Sequence, residues 1–406
     1  MPMTERVDPF WDNAFHLGEQ SVEWLNGPAL KHYRDARPDL WKIRSSLDMQ
    51  DDYALRAATA GRNRQGVVAV LSALHSWRTL TAQQLACLVG DPALTSARNV
   101  VIKSLWNLGV IEIGQRALRG LGHRLDDGLW LRIGHRDAIK ILRPHLTWHD
   151  WMTITGGQRW EKSKPRVRHD TYAMECALRL ADHADVLTVL GEKFSTADML
   201  GGTGAGRAPL TIDSSADFTV VRPDGMKIAV ELTSSVTPNL AAKAAKWARA
   251  IALSPFEATG LFVVFLIVGK PDDTRVAKEI RSVVRDAIAT AARSYPGTVR
   301  DRVAERIGFA TWSDWFPEKH VISPAGLAMR TLLPTGRGER LWEPVDMLNP
   351  TQRPFTPKDP TAVVQVKELA SLLGQTPAWL RVEKPSHSFE DLFWPPAPDW
   401  VPRRSA

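Results

Sequence analysis

Hydrophobic positions fall into two regimes along the chain. From Arg64 onward, Val67, Val68, Val70, Leu71 and Leu74 recur at helical spacing. A second helix is predicted from Thr81, an N-cap with Gln84 three residues on as its capping-box partner, through Leu85 and Leu88 to a stop at Gly90. A third is predicted from Thr95 or Ser96 through Val100, Val101, Leu105 and Leu108 to Gly109. Residues 110–114 and 129–134 then read as short strands around a basic, Gly-rich loop at 115–128. Downstream the period changes. A helix over about 170–183 precedes a strand at 186–190, and a Gly-rich loop at 201–206 leads into a hairpin. Its strands are 215–221 and 226–233, around the turn Arg222-Pro223-Asp224-Gly225. A helix over about 238–253, an apolar strand at 261–268 and a long helix at 273–294 complete the pattern.

The first run, helix-helix-helix-strand-loop-strand, has the order of a winged helix-turn-helix. The second, α-β-β-β-α-β, predicts an α/β core closed by helices. The expected fold is therefore α/β (α+β overall). The expected units are an N-terminal helical extension (1–60), the winged helix (61–140), a connector (141–168), the α/β domain (169–320), and a C-terminal extension with a Pro-rich linker (321–406). A chain of 406 residues accommodates several such units.

The net charge of +7 permits a nucleic-acid partner without requiring one. Between Arg98 and Arg143 nine Lys or Arg stand against four Asp or Glu, which concentrates positive charge on the first unit. In a winged helix the third helix enters the major groove and the wing reaches the backbone. Ser96, Arg98, Asn99 and Lys103 lie off the apolar stripe of that helix, and Arg116, Arg119 and Arg124 would decorate the wing. These seven are the candidate contacts to double-stranded DNA; a winged helix used for protein contacts is the alternative. Only Cys87 and Cys176 occur, with no CxxC, which excludes a thiolate zinc finger and fits a reducing cytoplasm. The N-terminus carries no signal-peptide pattern, and the longest apolar run, residues 261–268, is too short for a bilayer. A cytoplasmic protein without membrane contact is expected.

The α/β unit carries the candidate chemistry. Glu192 follows an apolar segment, and Asp217 and Glu231 sit on paired strands, where alternation puts both on one face. Carboxylates so placed are hard oxygen ligands for Mg²⁺, with Mn²⁺ as substitute. Such an ion stabilises phosphate charge and acidifies an attacking water, and a nearby lysine, Lys243 or Lys246, would assist. Asp217, Glu231, Lys243 and Lys246 are thus the candidate catalytic residues, and Asp217, Glu231 and Glu192 the candidate metal ligands.

This arrangement resembles the PD-(D/E)xK nuclease superfamily. The pairing of a winged helix with Arg168-His169, Glu175, Glu192, Asp217, Glu231 and the run from Lys243 to Trp247 is similar to the replication-relaxation family of plasmid and mobile-element proteins, over about residues 64–270. The resemblance implies metal-dependent nicking or cleavage of DNA in replication or mobilisation, with protein partners in such a complex. Two positions depart from the superfamily pattern: Ala216 stands where Pro is expected and Thr233 where Lys is expected. A lysine supplied from the following helix would restore the set. The alternative is a non-catalytic DNA-binding regulator or assembly factor on an inactive nuclease fold; an RNA-associated factor fits the charge but lacks an aromatic-rich RNA motif.

Weaker features have plainer readings. The Gly201–Arg207 run lacks the Gly-Lys-Ser/Thr of a phosphate loop, and His145 and His149 have helical metal-site spacing but no acidic partner between them. Arg275, Lys278, Arg281 and Arg285 form a basic stripe on the late helix.

Overall fold

The chain is described from a computed structural model, which covers residues 2–31, 45–116, 128–161, 166–196, 200, 215–269, 274–388 and 392. The expected wing residues Arg119 and Arg124 and the Gly201–Arg207 run lie outside the described residues.

The helical unit is built from α1 (Asp51–Thr59), α2 (Gly61–Trp77), α3 (Ala82–Val89) and α4 (Val100–Asn107). Its strands are β1 (Val22–Leu25), β2 (Thr79–Thr81), β3 (Ile111–Arg116) and β4 (Leu129–Ile133). They form an antiparallel sheet in the order β1-β3-β4-β2. The capping box forms as expected: the Gln84 amide donates to Thr81 Oγ1 at 3.1 Å, and the Thr81 amide donates to Gln84 Oε1 at 3.0 Å. Gly90, at φ 82°, ends α3 in a conformation that favours glycine.

The third helix starts later than its hydrophobic pattern implies. Ser96 Oγ accepts the Arg98 amide at 3.2 Å, and Asn99 Oδ1 caps α4 by accepting the Val101 amide at 2.9 Å. Both side chains satisfy local backbone donors, so the helix begins only at Val100.

The larger sheet has seven strands among the described residues. They are β5 (Thr188–Gly191), β6 (Phe218–Val221), β7 (Lys227–Thr233), β8 (Leu261–Ile267), β9 (Ile307–Thr311), β10 (Arg330–Leu333) and β11 (Glu343–Asp346). The spatial order is β11-β10-β9-β8-β7-β6-β5. The β7-β8 and β8-β9 pairs are parallel and the others antiparallel. The helices are α5 (Trp148–Thr155), α6 (Val167–His183), α7 (Leu240–Leu253), α8 (Thr274–Ser294) and α9 (Thr361–Leu372). The α6-β5-β6-β7-α7-β8 succession follows the predicted order.

Alternation assigns the faces. Ala229, Val263, Phe265 and Phe309 join Leu240, Trp247, Ile280 and Val284 in a layer under α7 and α8. On the opposite face Val220, Ile228 and Val264 share one continuous core with Leu71, Trp77 and Leu85 of the helical unit and Leu178 of α6. The two units are thus joined through buried apolar surface, not by a free connector.

Three stretches differ from expectation. The N-terminal extension supplies β1 to the smaller sheet, with Leu25 opposite Ile113. The sheet extends past residue 320 through β10 and β11. The Pro-rich stretch is not a linker: Arg222 donates to the Met347 carbonyl at 2.9 Å and to the Arg353 carbonyl at 2.6 Å, and Phe355 packs against Phe256. Proline breaks the periodicity but does not prevent packing through side chains and carbonyls.

Candidate active site

Asp217 lies just before β6. The β6-β7 register pairs Phe218 with Val230, so one residue further Asp217 stands opposite Glu231. Here the carboxylate takes over from the ladder, because Asp217 Oδ2 accepts the Leu232 amide at 2.7 Å. Glu231 is fully buried beneath α7. Its Oε1 accepts the Trp247 indole N–H at 2.5 Å, and its Oε2 forms an ion pair with the Lys243 ammonium. Lys243 and Trp247 are four residues apart on one helix and therefore share a face. His169, in the first turn of α6, completes the group: its Nε2 lies 2.7 Å from Asp217 Oδ1.

The two carboxylates divide their charge unequally. Burial opposes ionisation of Asp217, yet the charges of His169 and Lys243 and the Leu232 amide hold it below the ordinary aspartate range. Burial, followed by the adjacent Asp217 charge, pushes Glu231 above the ordinary glutamate range, with Lys243 acting against that rise. Lys243 itself is held above its usual value: burial lowers it, but Asp217 and Glu231 more than compensate. The pair thus combines one carboxylate held ionised by its neighbours with one whose ionisation is opposed by burial and by the adjacent charge.

An open cleft of about 310 Å³ lies over this group. Arg166, Arg168, His169 and Lys243 line it, together with residues of the β7–α7 loop, among them Ser234 and Thr237. Arg168 donates to Ser234 Oγ at 2.6 Å and is thereby fixed to that loop. Arg166, Arg168 and Lys243 give the cleft a cationic lining, and the two carboxylates lie buried behind His169 and Lys243 without lining it.

The predicted residues separate clearly. Asp217, Glu231 and Lys243 come together, whereas Lys246 is half-buried and does not line the cleft. Glu192 is not brought to the pair. It sits on a 3₁₀ turn after β5 and pairs with Arg78 at 3.2 Å, across the junction with the helical unit. Asp170, buried and within electrostatic reach of both Glu192 and Asp217, has its carboxyl raised by burial and then by the charge of Glu192. Among the described residues no group of three or more His, Cys, Asp or Glu side chains is placed to hold a metal ion. The expected three-carboxylate set is therefore replaced by two carboxylates. Two still fit Mg²⁺ or Mn²⁺, which commonly bind through one or two carboxylates plus water and substrate phosphate.

Glu175, part of the family resemblance, faces away from the cleft. It is held by Arg6 Nε at 3.3 Å, Arg179 Nε at 3.1 Å and Gln84 Nε2 at 3.3 Å in a buried network that ties the N-terminal segment to α6. Of the expected DNA contacts, Ser96 and Arg98 are exposed and Lys103 half-exposed, while Asn99 is used as a cap. The rest of α4 is enclosed by α1 and the N-terminal segment, where the Trp106 indole donates to the Leu25 carbonyl at 2.9 Å. Arg116 ends β3 and reaches the carbonyls of Asp12 and Asn13 at 3.5 and 3.4 Å, so its side chain is turned toward the N-terminal segment. His145 and His149 are exposed, and Arg281 and Arg285 of the late stripe lean over Phe309 and Trp342.

His169 and Trp247 received no role from sequence alone. Both belong to the motifs that carry the resemblance, and the i,i+4 relation of Trp247 to Lys243 is the signal the sequence holds. No known protein family, curated protein or solved structure matches the chain. No described helix is long and apolar enough to cross a membrane.

Proposed function

We propose that this chain binds double-stranded DNA and acts on its phosphodiester backbone from the Asp217–Glu231–Lys243 centre, as a PD-(D/E)xK-like endonuclease serving a plasmid, phage or integrative element. The observation that carries this reading is the seating of Lys243 on Glu231, directly opposite Asp217, under a cationic cleft. A lysine from α7 thus occupies the role that Thr233 cannot fill. Asp217 and Glu231 are the residues that would hold Mg²⁺, which when bound supplies Lewis-acid stabilisation of the phosphate. Lys243 offers a positive charge where negative charge develops, and His169 keeps the Asp217 carboxylate oriented. The winged-helix reading of the helical unit rests on its element order and on Ser96, Arg98 and Lys103 at the open end of α4. Protein partners in a replication or mobilisation assembly belong to the same proposal.

A second reading, a non-catalytic DNA-binding factor, is favoured by one observation: every oxygen of Asp217 and Glu231 already has a cationic or N–H partner within the protein. Incubation of supercoiled plasmid with Mg²⁺ or Mn²⁺ separates the two. Nicking by the wild type that disappears in Asp217→Ala, with binding retained in a gel shift, supports the enzyme. Plasmid left intact with both ions supports the second reading.

A further inference from the structure

The cleft beside Asp217 and Glu231 is lined by more basic side chains than the two carboxylates engage. Arg166, Arg168, His169 and Lys243 converge on it from α6, from the residue just before it and from α7. Arg166 is exposed and close enough to Lys243 for its charge to work against that ammonium. Like charges held around one hollow repel each other, and the repulsion is relieved when an anion enters. Of the remaining lining, Thr233, Ser234, Ser235, Thr237 and Asn239 offer hydroxyl and amide groups, and Leu232 and Leu240 are aliphatic. Among the described residues no Phe, Tyr or Trp lines the cleft. A nucleic-acid site that reads bases in an open strand uses aromatic faces for stacking, whereas one that reads the backbone needs only cations and hydrogen-bond donors.

We propose that this cleft is a phosphate subsite that holds nucleic acid by its backbone alone and is therefore indifferent to base sequence. The ligand class is a phosphodiester group of a polynucleotide, with Arg166 and Arg168 as its principal binding residues. The proposal deepens the nuclease reading in naming the substrate chemistry, but it concerns binding and needs no cleavage. It also divides labour within the chain: any choice of DNA sequence must be made elsewhere, the helical unit being the available place.

The test uses the full chain without added metal. Binding of two fluorescein-labelled oligonucleotide duplexes of unrelated sequence is measured over a salt series, with pyrophosphate as competitor. For Arg166→Ala, affinity should fall about three- to tenfold for both sequences alike, and the slope of log K against log salt should shrink by roughly one. Arg168→Lys keeps the charge but loses the planar fork, and should fall between wild type and Arg166→Ala. Pyrophosphate should displace both duplexes from the wild type. Thermal melts confirm that the variants are folded; Arg166 is exposed and its replacement leaves the core untouched. Unchanged affinity and salt slope in Arg166→Ala overturn the subsite, as does a loss confined to one sequence. Pyrophosphate binding with no duplex binding overturns the assignment to nucleic acid. A protein that binds as described but leaves plasmid uncut retains the subsite and loses the nuclease reading. One that cuts plasmid while Arg166→Ala binds normally does the reverse.

Discussion

The ammonium of Lys243, one turn into α7, rests on the carboxylate of Glu231 in the middle of the larger sheet. Thr233, two residues beyond Glu231 on the same strand, carries no charge. The helix that follows the strand supplies it instead, and Trp247 from the next turn fixes the second oxygen of the same carboxylate.

If this pair is the working centre, Lys243→Met should lower plasmid nicking by roughly 10²-fold, the usual scale for losing one preorganised contact to developing charge. Lys246→Met should change it little, because Lys246 does not line the cleft. Initial rates of supercoiled-plasmid loss measure both. Equal effects from the two variants would remove Lys243 from its role.

If the helical unit contacts DNA as proposed, the available cations are Arg98, exposed just before α4, and Lys103, half-exposed within it. Arg98→Ala combined with Lys103→Ala should weaken duplex binding and flatten its salt dependence, since each lost phosphate contact lowers the salt slope by about one. Arg116→Ala should act mainly on stability, because its side chain is committed to the carbonyls of Asp12 and Asn13. Gel shifts at several salt concentrations test this. A larger binding loss from Arg116→Ala than from the double variant would contradict it.

Local signals in the sequence were legible where a residue acts on its immediate neighbours. Thr81 and Gln84 announce their capping box, the apolar run at 261–267 is the buried strand β8, and period-2 alternation correctly places Asp217 and Glu231 on one face. What sequence concealed depends on distant partners. β1, β10 and β11 are short edge or near-edge strands with no clean alternation, and Pro344 interrupts the last of them. Glu192 reads as a site carboxylate until Arg78, far away in the chain, is brought beside it. Ser96 and Asn99 read as helix surface because hydrophobic spacing says nothing of side chains that cap their own backbone.

The junction between the units should be acid-sensitive through His75. Its ring is fully buried, stacks on Trp160, and has its pKa pushed down to about 3 by burial and then by Lys193. A group depressed in the folded state contributes stability above its unfolded value, near 6.5, and loses that contribution as pH falls toward 3. Between those limits the unfolded chain binds the extra proton, so the loss is on the order of 5 kcal/mol when complete. Denaturant melts of wild type and His75→Phe at pH 7 and pH 4.5 check the sign. The wild type should lose more stability on acidification than the variant; parallel losses would exclude His75.

Arg78 separates backbone from side-chain effects at the same junction. It ends α2 at φ 67° and ψ −68°, a strained conformation for any residue with a Cβ, while its guanidinium holds Glu192. Arg78→Ala loses the ion pair and keeps the strain, whereas Arg78→Gly loses the pair and relieves it. The glycine variant should therefore be more stable than the alanine variant by about 1 kcal/mol, despite the usual entropic penalty of glycine. Urea unfolding midpoints decide the order, and an alanine variant at least as stable as the glycine one would show that this turn is unstrained.

Glu175 presents the sharpest contrast between resemblance and structure. It is one of the residues that carry the resemblance, yet its oxygens are engaged by Arg6, Arg179 and Gln84 in the core. Arg179 in turn donates to Asp8 at 2.6 Å, and Arg6 to Asp182 at 2.9 Å, so one carboxylate balances two buried guanidinium groups that also serve other acids. Removing it takes the acceptor from buried N–H groups of both guanidiniums and of Gln84, and breaking such a buried ion pair typically costs about 3–5 kcal/mol. Glu175→Ala should fall in that range by chemical denaturation. Glu175→Gln keeps the shape and some of the hydrogen bonds, and should cost less. Under conditions where both remain folded, nicking and duplex binding should match the wild type, because the network does not line the cleft. Loss of nicking in a fully folded Glu175→Gln protein would instead place Glu175 in the cleavage machinery.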